Sequence, residues 1–171
     1  MPLRDRVPKF DQIIPVFAVT SLFIYGWTTY RFLQKLPSWL YYLNVREIFL
    51  NLSHTLVFNF VECALILGAL VALGIVLPRR FFGDAFVARA SLLSMLGLGY
   101  LIYLALIIGE SKASQFPMDV FTLVPAVGLV ILMLSVFLPL ISVVRVVLED
   151  FADRAIVFLY LLVPLSAVAG E

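Results

Sequence analysis

The sequence predicts an all-α integral membrane protein, a bundle of four to five transmembrane helices with a short amphipathic interfacial helix between the first two. Three observations predict it. Of the 171 residues, 63% are hydrophobic and 13% are charged, against about 45–50% apolar and about 25% charged in soluble domains. Mean hydropathy is +1.09, and one soluble core of this size cannot hide so much apolar surface. The apolar residues are also gathered into separate runs of spanning length, since about 20 of them cross roughly 30 Å of hydrocarbon. The chain reads as a single transmembrane domain.

The N-terminal "MPLRDRVPKFDQ" is basic and leads into "IIPVFAVTSLFIYGWTTY". That run is long for a signal-peptide core, and "RFLQKLPSW" after it contains no small-residue cleavage site. It is read as an uncleaved first span over residues 13–33. The following "LPSWLYYLNVREIFLNLSH" carries Asn44, Glu47 and Asn51 at helical spacing, with Trp39, Leu43, Ile48, Phe49 and Leu52 among its apolar positions. This pattern predicts the amphipathic helix, lying where Trp and Tyr are favoured, either as a lid on the bundle or as a docking surface.

The second span covers residues 55–77 and holds Glu62; the third, 90–109, and the fourth, 120–144, carry no charge in their apolar runs. Pro125 and Pro139 lie inside the fourth. Each removes an intrahelical hydrogen bond, so this span is expected to kink. Residues 155–170, with Pro164, form a shorter run read as a fifth span.

Lys and Arg set the orientation. Arg4, Arg6, Lys9, Arg79, Arg80, Arg89, Arg145 and Arg154 fall on one side, and Arg31, Lys35, Arg46 and Lys112 on the other. The richer side is expected to be cytoplasmic, with the N-terminus inside and the protein in the plasma membrane. Arg145–Glu149 and Asp150–Arg154 are spaced for i,i+4 ion pairs. Asp119 is placed to cap the fourth helix.

Glu62 is the residue that calls for an explanation. Thr55, Asn59 and Glu62 are spaced four and three apart, so they share a helix face. The stripe reaches about 10 Å inward at 1.5 Å per residue. A carboxylate in hydrocarbon needs a partner, and Arg31, Tyr100 and Tyr103 are the candidates at that depth. Ala64, Gly68 and Ala72 form a small-residue ridge on the same helix, and Ala90, Ser94 and Gly97 a similar surface on the third. Both favour close helix contact, which predicts a central second helix.

The remaining chemistry is sparse. One histidine, His54, and one cysteine, Cys63, supply neither a bis-histidine haem site nor an internal dithiol. No phosphate-binding glycine loop, His-Glu-x-x-His pattern or channel-filter motif is present. No catalytic residue, metal site or cofactor is assigned. The net charge of +1 lacks the concentrated basic surface that nucleic acid requires.

Three functions remain. The leading expectation is a structural or accessory subunit that anchors or assembles a membrane complex, its partners being lipids, other membrane subunits or further copies of itself. The alternative is a proton- or ion-coupled transporter or oligomeric channel using Glu62 and Asn59. The third is a lipid-modifying enzyme with Glu62, His54 and Glu110 as acid–base groups.

Overall fold

The computed structural model of the chain describes residues 8–77, 85–110 and 118–169. The described residues are all-α. Helix α1 runs Phe10–Tyr42, α2 Val45–Val76, α3 Phe86–Glu110 and α4 Met118–Phe137. One 3₁₀ turn, Leu138–Leu140, then leads into α5, Ser142–Ala169. Among the described residues, four helical stretches are long and apolar enough to cross a membrane: Phe10–Tyr42, Val45–Val76, Phe86–Ile108 and Leu123–Leu140. The protein is an integral membrane helical bundle.

The predicted interfacial helix does not exist as a separate element. Its first part is the end of α1 and its second part the start of α2, divided only by Leu43 and Asn44 in extended conformation. The polar periodicity was that of α2's own first turns: Ile48 is buried and Leu52 packs beneath Ile24 and Tyr25. The local chemistry explains the sharp reversal. The Leu43 N–H closes α1 on the Trp39 carbonyl at 2.7 Å. The Asn44 N–H donates to Glu47 Oε2 at 2.8 Å, so a side chain of the first turn satisfies a group the helix cannot.

The fourth run also divides. Pro139 has no N–H to bond the Ser135 carbonyl, so α4 stops at Phe137 and Ile141 turns extended before α5. The span expected over 120–144 is therefore two elements. The charged segment that follows belongs to the same 28-residue helix as the last apolar run. Both expected ion pairs form there, Arg145–Glu149 and Arg154–Asp150, each at 2.9 Å. They are solvent-accessible and add little to stability. The side chains of Glu110 and Asp119 lie outside what the structure describes, as do residues Lys112, Arg79 and Arg80.

The hub of the bundle is α1, not α2 as the small-residue ridge suggested. It packs along α2, α3 and α5, while α4 rests against α3. Pro15, Val16, Ala18, Val19, Thr20, Ser21, Ile24 and Tyr25 of α1 are buried. Ala18 and Val19 meet Ala152 and Ala155 of α5, where small side chains let two backbones approach. Val16 joins Leu70, Phe86, Ala90 and Val136, tying α1 to α2, α3 and α4. On α2, by contrast, Ala64, Gly68 and Ala72 are exposed, and a Cβ placed on Gly68 would meet nothing within 4 Å. This ridge faces away from the bundle because Leu56, Cys63 and Leu70 claim the inward face. On α3, Ala90 and Ser94 are buried and Gly97 is half-buried, so that surface does pack inward.

The reversal at Asn44 makes a direct test. Glu47→Ala, which removes the acceptor of the Asn44 N–H, is expected to lower stability by about 1 kcal/mol, read as reduced resistance to unfolding in mild detergent, whereas Glu47→Gln retains it.

Candidate functional site

The polar residues of α2 meet polar residues of α1 that share its periodicity. On α1, Ser21, Tyr25 and Thr28 are spaced four and three apart, so hydroxyls line one face. That face meets α2. Thr28 Oγ1 donates to Asn59 Oδ1 at 3.1 Å, and the Tyr25 hydroxyl donates to the Leu56 carbonyl at 3.2 Å. One turn further along, the Thr20 and Ser94 hydroxyls lie 3.1 Å apart, and Thr20 also donates to the Val16 carbonyl at 2.9 Å. The result is a seam of buried hydroxyl and amide groups joining three helices.

Asn59 is the most buried member of the predicted stripe, at 4% exposure. Its carbonyl oxygen is satisfied by Thr28, while its Nδ2 is buried with no hydrogen-bond acceptor among the described residues. Thr55 is half-buried and donates back to the Asn51 carbonyl of its own helix at 2.6 Å. Glu62 is exposed and borders a cleft of about 140 Å³ between α1, α2 and α3. Phe23, Ile24, Trp27, Thr28, Leu98, Leu101 and Ile102 form the other walls.

The expected partners of Glu62 are elsewhere. Arg31 stands over the Trp27 ring at 5.6 Å and donates to Gln34 Oε1 at 3.4 Å. Tyr100 lines a separate apolar groove of about 350 Å³ between α2, α3 and α4, and Tyr103 is exposed on α3. Among the described residues, no hydrogen bond or ion pair reaches Glu62. The stripe therefore separates into a buried amide joined to α1 and a carboxyl at the edge of a cleft. His54 is exposed and does not line the Glu62 cleft, and the Glu110 side chain lies outside the described residues.

Two groups escaped the reading of the sequence. The hydroxyl face of α1 was legible in the same i,i+4 spacing that revealed Thr55, Asn59 and Glu62, but it was masked by apolar residues on both sides. Arg89 gives no such signal. It was counted with the solvated charges flanking α3, yet it is 3% exposed and engaged by a neighbour within the packed start of that helix. A buried arginine is costly in a membrane protein and is held by what surrounds it.

Comparison with protein-family models, with curated proteins and with solved structures finds no match to this chain.

The Thr28–Asn59 bond can be measured by a double-mutant cycle. Thr28→Val is expected to cost about 1 kcal/mol or somewhat more, because it leaves a second Asn59 atom unsatisfied in a buried position. The pair Thr28→Val with Asn59→Leu is expected to cost less than the sum of the single changes. Unfolding in detergent supplies the readout, and strict additivity would show that the bond contributes nothing.

Proposed function

We propose that this protein is an anchoring or assembly subunit of a membrane complex, with the α1–α2 hairpin as its docking face. The observation that carries the reading is the length of that hairpin and the character of its tip. With 33 and 32 residues, α1 and α2 are each about 50 Å long at 1.5 Å per residue. Roughly 30 Å of that suffices for the hydrocarbon. Beyond Tyr30, where the apolar run ends, α1 continues for about 18 Å as a rigid helix to Tyr42. Its tip is apolar: Tyr41 is 85% exposed, Tyr42 83%, Val45 65% and Phe49 64%. Contiguous apolar side chains at the end of a projecting hairpin favour burial against another surface. Aromatic residues of this kind dominate binding energy at protein interfaces. The outward ridge of Ala64, Gly68 and Ala72 on the same helix supports a second contact inside the bilayer, where small residues let helices approach.

This assignment accommodates the sparse chemistry of the interior. The buried seam is explained as hydrogen-bonding glue, each bond contributing about 1 kcal/mol or less. The richer count of Lys and Arg supports a cytoplasmic N-terminus, with the hairpin tip on the opposite side.

The test is site-specific photocrosslinking in native membranes. A crosslinker at Tyr42 or Phe49 is expected to give one discrete adduct, and a crosslinker at the exposed Val157 of α5 a different pattern or none. The combined change of Tyr41, Tyr42 and Phe49 to Ser is expected to abolish the adduct without loss of expression or thermal stability. A chain that purifies alone, with no adduct from the tip, overturns the assignment.

A second reading rests on Glu62 opening to a cleft rather than pairing inside the bundle. In that reading the acid binds a proton or cation on a pathway, and an intramembrane acid is a natural candidate for such a role. Reconstituted liposomes decide it: Glu62→Gln is expected to abolish proton- or cation-driven flux if the conduit exists. If flux is absent from the parent protein, or survives the substitution, this reading is removed.

A further inference from the structure

Immediately above the Glu62 cleft lies a second one, of different chemistry. Thr28, Arg31, Phe32, Lys35 and Trp39 of α1 and Thr55 of α2 line a cleft of about 130 Å³. On α1, Thr28, Arg31 and Lys35 fall three and then four residues apart and so share a face. Two cations one turn apart thus look into a space edged by two hydroxyls. Among the described residues no carboxylate pairs with either Arg31 or Lys35; the ion pairs there are those of α5. Arg31 is also held in position. Its guanidinium lies over Trp27 and donates to Gln34, whose own amide donates to the Tyr30 hydroxyl at 2.7 Å.

The level of this cleft decides what would enter it. Trp27 and Tyr30 end the apolar run of α1, at the height where aromatic side chains meet headgroups. Arg31 and Lys35 follow directly, and a guanidinium and an ammonium at that height can pair with the phosphate oxygens of a headgroup. Thr28 borders both clefts. The cationic mouth therefore adjoins a throat walled by Phe23, Trp27, Leu98, Leu101 and Ile102, with Glu62 at its deeper edge. A cationic mouth over a throat that is apolar but for that one carboxyl matches an amphiphile better than a free anion. Glu62 is about 10 Å further in than Thr55, so it does not share the position of the anion.

We propose that Arg31 and Lys35 bind the phosphate headgroup of an anionic phospholipid, whose acyl chain runs down the Trp27–Leu98–Leu101 throat past Glu62. The site is independent of the docking role of the hairpin tip, since it lies at the base of the overhang rather than at its end.

Trp27 and Trp39 are the two tryptophans of the chain, and each lines one of the two clefts, so intrinsic fluorescence reports on the site directly. The protein is reconstituted in phosphatidylcholine nanodiscs containing increasing phosphatidylglycerol with brominated acyl chains. A parallel series uses brominated phosphatidylcholine. Quenching is expected at a markedly lower mole fraction of the brominated phosphatidylglycerol. Arg31→Gln is expected to raise the half-quenching mole fraction about fivefold, and Lys35→Gln likewise. Arg31→Lys is expected to retain most of the preference, and Arg46→Gln, on the exposed start of α2, all of it. Millimolar inorganic phosphate is expected to leave the quenching unchanged; displacement by it would show a free-anion site and overturn the lipid assignment. Equal quenching by the two brominated lipids also overturns it. If Arg31→Gln fails to fold, Lys35→Gln decides alone, and an unchanged preference in that variant rejects the proposal.

Discussion

Hydrocarbon offers no hydrogen-bonding partners, and that constraint arranges this bundle around α1. A polar side chain inside the apolar span is costly unless protein satisfies it, and most here are satisfied, Asn59 Nδ2 and Ser91 Oγ being left without a partner among the described residues. Thr20, Ser21, Tyr25 and Thr28 give α1 a polar face within an otherwise apolar helix, and each needs company. Thr20 meets Ser94 on α3, Tyr25 meets the Leu56 carbonyl, and Thr28 meets Asn59 on α2. Ser21 sits beside the buried thiol of Cys63. Among the described residues the helix with the most buried hydroxyls therefore lies at the centre, α2 and α3 being held through those hydroxyls and α5 through close apolar contact.

The same constraint accounts for the faces left open. Once Leu56, Asn59, Cys63 and Leu70 turn toward α1, helical geometry carries Ala64, Gly68 and Ala72 to the far side of α2. Helix α4 sits at the periphery against α3, leaving an apolar groove between α2, α3 and α4. Pro139 then ends α4, and the turn it forces delivers α5 against α1 through Ala152 and Ala155. A proline and two alanines thereby position a helix whose charged residues stay on its outward side.

Polarity changes in order along the hairpin. The buried seam gives way to the Glu62 cleft, then to the cationic mouth at Arg31 and Lys35, and finally to the aromatic tip at Tyr41 and Tyr42. Each level matches a different surrounding: packed helices, acyl chains, headgroups and the space beyond them. A hairpin graded in this way is suited to holding lipid at its base and another molecule at its end.

Composition and run length by themselves determined that the chain is helical and membrane-embedded. Burying so many apolar residues requires lipid, and backbone within lipid must be helical or form a closed barrel. The i,i+4 spacing of Arg145 with Glu149 and of Asp150 with Arg154 likewise determined their ion pairs, because one helix supplies both partners. Other features depended on contacts between helices. Residues 36–54 carry a true helical period, but a period does not say where one helix ends, and the caps at Leu43 and Asn44 decided that. Asn59 and Glu62 share a stripe in the sequence, yet only packing against α1 buried one and left the other at a cleft. Arg89 resembles any flanking charge until the start of α3 closes around it. Period and composition are properties of one segment, whereas burial is a property of two segments meeting, and their meeting is settled only when the whole bundle has packed.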